Sequence, residues 1–182
     1  MIRILLSGSG GAADPWIALS EQPADTEWFG TLLAEQLKAN AVVSLNGDLG
    51  AGKTALTRGL AVGLGCRGAV ASPTFTLLME HPAAADGKAL YHFDVYRLEG
   101  AEAFVESGLD EYFDMDGVCV IEWGERIARF LPLRSLRICL TAPDPGQPSL
   151  RRIELVWPDG SEQVRHLTQC VEEVIGHADP GL

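Results

Sequence analysis

The 182-residue chain contains no apolar run near the roughly 18 residues that a membrane-spanning helix needs, so no membrane partner is expected. Its start, Met1–Gly10, carries one positive charge and only a very short apolar stretch. A secretory leader would need roughly 7–15 apolar residues there, and a cytoplasmic location is expected. Cysteine pairs are also missing. Cys66, Cys119, Cys139 and Cys170 lie far apart with no CxxC spacing, which predicts buried free thiols in a reducing compartment. The four histidines show no HExxH or other paired zinc spacing. Basic charge is scarce as well: 14 Lys and Arg face 25 Asp and Glu, for a net charge of −11. Tight binding of DNA or RNA rests on a basic surface, and no Lys/Arg cluster is present. DNA is excluded, and a nucleic-acid pathway is open only through a protein partner.

What is present suits one globular domain with a full core: 47% apolar and 21% charged residues. Residues 1–14 end in Gly8-Ser9-Gly10-Gly11-Ala12-Ala13 and are expected as a flexible peripheral extension, with 15–182 as a single domain. Trp16–Leu19 reads as an edge strand. Asp25 or Thr26 is the expected cap of a helix with Phe29, Leu32, Leu33 and Leu37 on its apolar face. Ala41–Leu45 reads as a buried strand, and Leu56, Leu60 and Leu64 mark a helix soon after it. Thr76–His81 and Ala89–Tyr96 predict a hairpin, Ala101–Ser107 a short helix and Val118–Ile121 another buried strand. Ser135–Thr141 pairs with Arg151–Trp157, and Val164, Leu167, Val171, Val174 and Ile175 mark a last amphipathic helix. A strand–loop–helix unit demands a parallel sheet core, while the hairpins add antiparallel strands. The predicted fold is a three-layer α/β sandwich around a mixed sheet.

Between strand and helix stands Gly47-Asp48-Leu49-Gly50-Ala51-Gly52-Lys53-Thr54, which satisfies GxxxxGK[ST]. Glycines let the backbone curl until successive N–H groups face inward onto phosphate oxygens. The helix beginning near Lys53 adds its positive dipole end. Lys53 supplies a charge for the β/γ-phosphates, and the Thr54 hydroxyl can ligate Mg²⁺. This is a nucleotide-phosphate loop, and the absence of an NKxD segment favours ATP over GTP.

Three later segments follow in order: Ser72-Pro73-Thr74-Phe75, His92-Phe93-Asp94-Val95-Tyr96-Arg97-Leu98 and Ile121-Glu122-Trp123-Gly124-Glu125. With the loop, they closely resemble the TsaE (YjeE) family of bacterial P-loop ATPases required for threonylcarbamoyladenosine modification of tRNA. The resemblance covers roughly residues 16–157. It implies a small P-loop NTPase fold, Mg-ATP binding, weak ATP hydrolysis, and assembly with TsaB-like and TsaD-like proteins. Contact with tRNA, modified at adenosine 37, would come only through that complex. The resemblance makes Asp94 and Glu122 metal-side acids, with Lys53, as catalytic residues. It makes Thr74 a switch residue at the γ-phosphate, against a simple turn after Pro73. Trp123 closes the nucleotide site or meets a partner, against a core role. Tyr96 and Arg97 support Asp94, or Arg97 stabilises transition-state charge, against an exposed structural arginine; His92 orients a neighbour or, as the better single reading, is a satisfied, half-buried histidine. Ala55, Val95 and Gly124 depart from the family pattern without removing a charged or hydroxyl group.

Two other readings share the loop. A small-molecule P-loop kinase usually carries an arginine-rich lid, and arginines are sparse between Lys53 and Arg126. A non-enzymatic, ATP-gated binding module would use the same residues without needing hydrolysis.

Overall fold

The computed structural model describes residues 1–11, 14–73, 76–84 and 86–178. Near-continuous apolar runs make strands buried on both faces. Every residue of β5 (Leu90–Asp94) and β6 (Val118–Glu122) is buried, as is the centre of β3 (Ala41–Asn46). These strands and β7 (Leu136–Thr141) form the parallel core: β6 pairs with β3 and β5, and β7 pairs with β3. Antiparallel strands extend it on both sides. They are β4 (Leu78–His81) beside β5, β8 (Arg151–Val156) beside β7, β2 (Asp14–Ser20) beside β8, and β1 (Ile2–Gly11) beside β2. The eight strands run in the order β1-β2-β8-β7-β3-β6-β5-β4.

Period-2 alternation sends side chains to two cores. Val43, Leu45, Val118 and Val120 pack under α1 (Pro23–Ala34), α2 (Lys53–Gly63) and α4 (Ser161–Ala178). Tyr91, Phe93, Cys119 and Ile121 pack on the other face against Phe104, Phe113 and Ile127. Those three come from α3 (Glu102–Glu106) and the 3-10 segments Leu109–Asp114 and Gly124–Phe130. The result is a three-layer α/β sandwich with a mixed sheet. Helices α1 and α2 touch backbone to backbone: a Cβ on Gly59 would lie 1.8 Å from the Glu27 carbonyl oxygen. That contact fixes the axis of α2, and hence the position of its first turn.

The amino-terminal expectations need correcting. Ile2–Gly11 is the outermost strand, paired with β2 from Ile2–Ser20 to Gly11–Asp14 with irregularities after Ile4 and after Ser7, and its Gly10 carbonyl accepts the Trp157 N–H at 2.6 Å. Ala12 and Ala13 lie outside the described residues. Trp16 is therefore interior. Its ring is fully buried, stacks on Phe29 at 5.2 Å, and donates Nε1–H to Thr168 Oγ1 on α4. A large amphipathic ring with one donor finds both an apolar stack and an acceptor there. Helix α1 is capped by Gln22, with Pro23 in its first turn, and Asp25 accepts the Glu21 and Gln22 N–H groups from position N3. In α4, Val164, Leu167, Val171 and Ile175 pack on the core, whereas Val174 is half exposed. The four cysteines are all free, and Cys119 alone is buried.

Candidate functional site

Parallel register assembles the site. Leu45 of β3 pairs with Glu122 of β6, and Glu122 pairs with Asp94 of β5, so both acids sit at the carboxyl ends of adjacent strands. In open α/β sheets that edge is where ligands bind. The Gly47–Gly52 loop leaves β3 at the same edge. Gly47 has φ 132°, and a Cβ there would lie 2.2 Å from the Leu140 carbonyl oxygen, so the loop can turn only with glycine at this point. Helix α2 then begins with no side-chain cap. An uncapped first turn leaves orphan N–H donors, which is the anion-binding arrangement.

Lys53 lies folded back over the loop. Its Nζ donates to the carbonyls of Gly47 at 2.6 Å and Asp48 at 2.9 Å, and sits 3.8 Å from the centroid of the Trp123 ring. Burial pushes the ammonium below its usual lysine value, against the opposing pull of Glu122, Glu125, Asp94 and Asp48. Thr54 Oγ1 donates to Glu122 Oε1 at 2.8 Å. Asp94 accepts the Ser72 hydroxyl on Oδ2 at 3.2 Å and the Tyr96 N–H on Oδ1 at 3.1 Å. Trp123 takes a left-handed backbone, φ 65° and ψ 34°, uncommon for a bulky residue. Its N–H donates to the Leu45 carbonyl and its ring lies 4.8 Å from that of Tyr96. The strained conformation sets the indole over Lys53 while it stays partly buried against the second core.

Around these groups lies a cavity of about 660 Å³, lined by the loop, Thr54, Asp94, Glu122, Trp123 and Arg151 among others. That volume is in the range of small-molecule sites. No cluster of three His, Cys, Asp or Glu side chains occurs among the described residues. The oxygen groups that converge at the strand ends are instead the Thr54 hydroxyl and the Asp94 and Glu122 carboxylates. An all-oxygen set of this kind fits a hard cation that keeps several of its waters, as Mg²⁺ does.

The residues of Gly47–Thr54, Asp94, Glu122 and Trp123 are thus brought together, whereas Thr74 lies outside the described residues. His92 departs from its expected state. It is fully buried, its Nε2 lies 2.9 Å from Glu122 Oε1, and its Nδ1 has no partner among the described residues. The sparse arginines also mislead, since Arg58, Arg97 and Arg151 all line the cavity. Arg151 was invisible to motif reading. It opens β8 and donates to the loop carbonyls of Ala51 (2.9 Å, from Nε) and Gly50 (3.0 Å, from Nη2), and to those of Pro148 and Leu150 from Nη1. Nothing local in the sequence announces a contact across a hundred residues.

Comparison with known proteins agrees with this architecture. The family model described as threonylcarbamoyl adenosine biosynthesis protein TsaE matches residues 20–151. A tRNA threonylcarbamoyladenosine biosynthesis protein TsaE from Streptomyces coelicolor is 43% identical over 147 residues, 77% of this chain and 86% of the relative. The protein of the same name from Treponema pallidum is 46% identical over 123 residues, 67% of this chain and 88% of the relative. A crystal structure of Bacillus subtilis YdiB superposes with a TM-score of 0.67 at 34% identity, covering 93% of this chain and 97% of that one. With a family match across the loop, both acids and the strands that carry them, the chain belongs to the TsaE family.

Proposed function

We propose that this chain is a Mg-ATP-binding ATPase subunit acting in threonylcarbamoyladenosine modification of tRNA at adenosine 37, with TsaB-like and TsaD-like proteins. The observation that carries the reading is the Thr54–Glu122 hydrogen bond at the uncapped start of α2, with Asp94 paired beside Glu122 in the sheet. The names of the relatives supply the pathway. Orphan N–H groups of the loop and first turn of α2 would hold the phosphates. Lys53 would exchange the Gly47 and Asp48 carbonyls for the β/γ-phosphate oxygens, moving a short way within the same cavity. Thr54, Glu122 and Asp94 would hold Mg²⁺, which when bound supplies charge that offsets the phosphate oxygens. Glu122 Oε1 takes two hydrogen bonds, from Thr54 and His92, while Oε2 takes none among the described residues. That second oxygen is suited to orient a water toward the γ-phosphorus. Trp123 roofs the lysine and keeps bulk water from it.

Turnover by the chain alone should be slow. Of the cavity arginines, Arg151 is tied to four carbonyls, Arg58 pairs with Glu27 and the Val70 carbonyl, and Arg97 is engaged in an interaction of its own. Further positive charge for the transition state would come from a partner, as GTPase-activating partners supply it. The test is a complex reconstituted with TsaB-like and TsaD-like proteins, assayed for ATP turnover and tRNA modification. Glu122→Gln should lower turnover by about 10²-fold or more, the usual scale for losing a positioned acid–base group. Unchanged turnover would overturn the hydrolytic role. Normal tRNA modification by a variant that binds but does not hydrolyse ATP would select the ATP-gated module instead.

A further inference from the structure

We propose that His92 is a positioning residue for Glu122. By donating its Nε2 hydrogen to one carboxylate oxygen, it leaves the other oxygen free and aimed for hydrolysis. The inference rests on the ATPase reading above.

The sheet register places the pair. Leu90, His92 and Asp94 alternate onto the α2 face of β5, as Val118, Val120 and Glu122 do on β6, and His92 pairs with Val120. His92 is thus the diagonal neighbour of Glu122, one of the cross-strand positions whose side chains can meet. The imidazole is wholly enclosed, and its Nε2 lies 2.9 Å from Glu122 Oε1. A carboxylate can only accept, so Nε2 is the donor. Nδ1 finds no acceptor among the described residues, and a hydrogen placed there would be buried without a partner, which puts the ring hydrogen on Nε2. The His81 ring lies 6.3 Å from that of His92, and its own Nε2 has no partner among the described residues. Among the described residues no carboxylate or carbonyl therefore meets Nδ1, and the one polar contact of the His92 ring there is with Glu122.

That arrangement is costly as plain core packing. An apolar side chain would fill the same space without an orphaned nitrogen. The imidazole instead supplies a rigid donor that reaches past Val120 to the strand end. Thr54 Oγ1 donates to the same oxygen at 2.8 Å. Two donors on Oε1, one from α2 and one from β5, leave the carboxylate a single orientation, with Oε2 free of hydrogen bonds among the described residues. Thr54 faces the cavity and shares its hydroxyl with whatever binds there, whereas His92 is sealed in the sheet and is committed to Glu122.

The experiment uses the reconstituted complex and four variants, His92→Gln, His92→Asn, Glu122→Gln and the double variant His92→Asn/Glu122→Gln, measuring kcat and the Kd for Mg-ATP. All are first checked for a cooperative thermal transition. Glutamine can carry its amide N–H to the place of Nε2 and should keep kcat within about threefold, whereas the shorter asparagine should lose about tenfold or more, the lower range for disturbing a catalytic group. Kd for Mg-ATP should weaken far less than kcat falls, by no more than about threefold, because Thr54 and Asp94 share the metal with Glu122 whereas a water on Oε2 depends on the orientation of that carboxylate alone. In the Glu122→Gln background, His92→Asn should add less than about twofold, as expected when one residue acts through the other. An equal loss in both backgrounds, a Kd that moves in parallel with kcat, or an unaffected His92→Asn enzyme would overturn the positioning role alone. A Glu122→Gln complex with wild-type turnover would overturn the ATPase reading along with it.

Discussion

Arg151→Met tests whether the phosphate loop is held from outside by β8. Methionine keeps much of the side-chain stem and removes the guanidinium, which donates to Ala51 O at 2.9 Å and Gly50 O at 3.0 Å. Hydrogen bonds to a charged group contribute about 1.5–3 kcal/mol each when buried. Gly50 is exposed and its carbonyl regains water when the arginine is lost, while Ala51 is buried, so about 2 kcal/mol for the pair is the appropriate scale. Without that tie the loop must be ordered as ligand binds, and the cost enters the affinity: about 2 kcal/mol corresponds to a roughly 30-fold weaker Kd. Calorimetric titration of Mg-ATP measures it. Amide exchange at Gly50–Thr54 in the ligand-free protein should quicken in parallel. Repeating the titration at about 1 M salt, where screening reaches about 3 Å, separates lost order from lost charge. Binding within twofold of wild type, or a defect that vanishes at high salt, would refute the reasoning.

Gly59→Ala should destabilise the protein by at least about 3 kcal/mol in denaturant unfolding, because its Cβ would meet the Glu27 carbonyl at 1.8 Å and neither helix backbone can yield cheaply. A change under about 1 kcal/mol would show that α1 and α2 are not locked at this crossing. Burial pushes the Cys119 thiol up to about 12 from an ordinary value of 9.0. The unfolded chain thus loses this proton first. The group's contribution is complete below the unfolded value and is lost as pH rises toward the folded one, at up to about 1.4 kcal/mol per pH unit. Cys119→Ala should flatten the fall in unfolding free energy across that alkaline window, and an unchanged slope would contradict the burial argument.

Much of this was legible in the sequence because it is local. Apolar runs at Ala41–Leu45 and Val118–Ile121 read as buried strands, and Gly47–Thr54 states its turn and its helix start within eight residues. The amino-terminal strand misled for a physical reason. Gly8 to Gly11 has the composition of a linker, yet it ends a strand whose earlier residues pair along β2 and it rejoins β2 at Gly11, and glycine content reports freedom only where no partner strand lies alongside. Asp94 and Glu122 could be named from motif order, but only the parallel register makes them neighbours. His92 looked like an ordinary core residue because the partner that defines it is thirty residues away on another strand. Arg151 carried no signal, since its ligands are main-chain carbonyls, which every sequence possesses.

The central claim is that the loop, Thr54, Asp94 and Glu122 form one Mg-ATP site. Calorimetric titration of ATP into the purified chain, with and without Mg²⁺ and beside Lys53→Ala, tests it most directly. One site per chain is expected, weakened about tenfold or more, some 1.4 kcal/mol, by omission of Mg²⁺ or by the substitution. Absence of saturable binding, or binding indifferent to both Mg²⁺ and Lys53, would contradict the account.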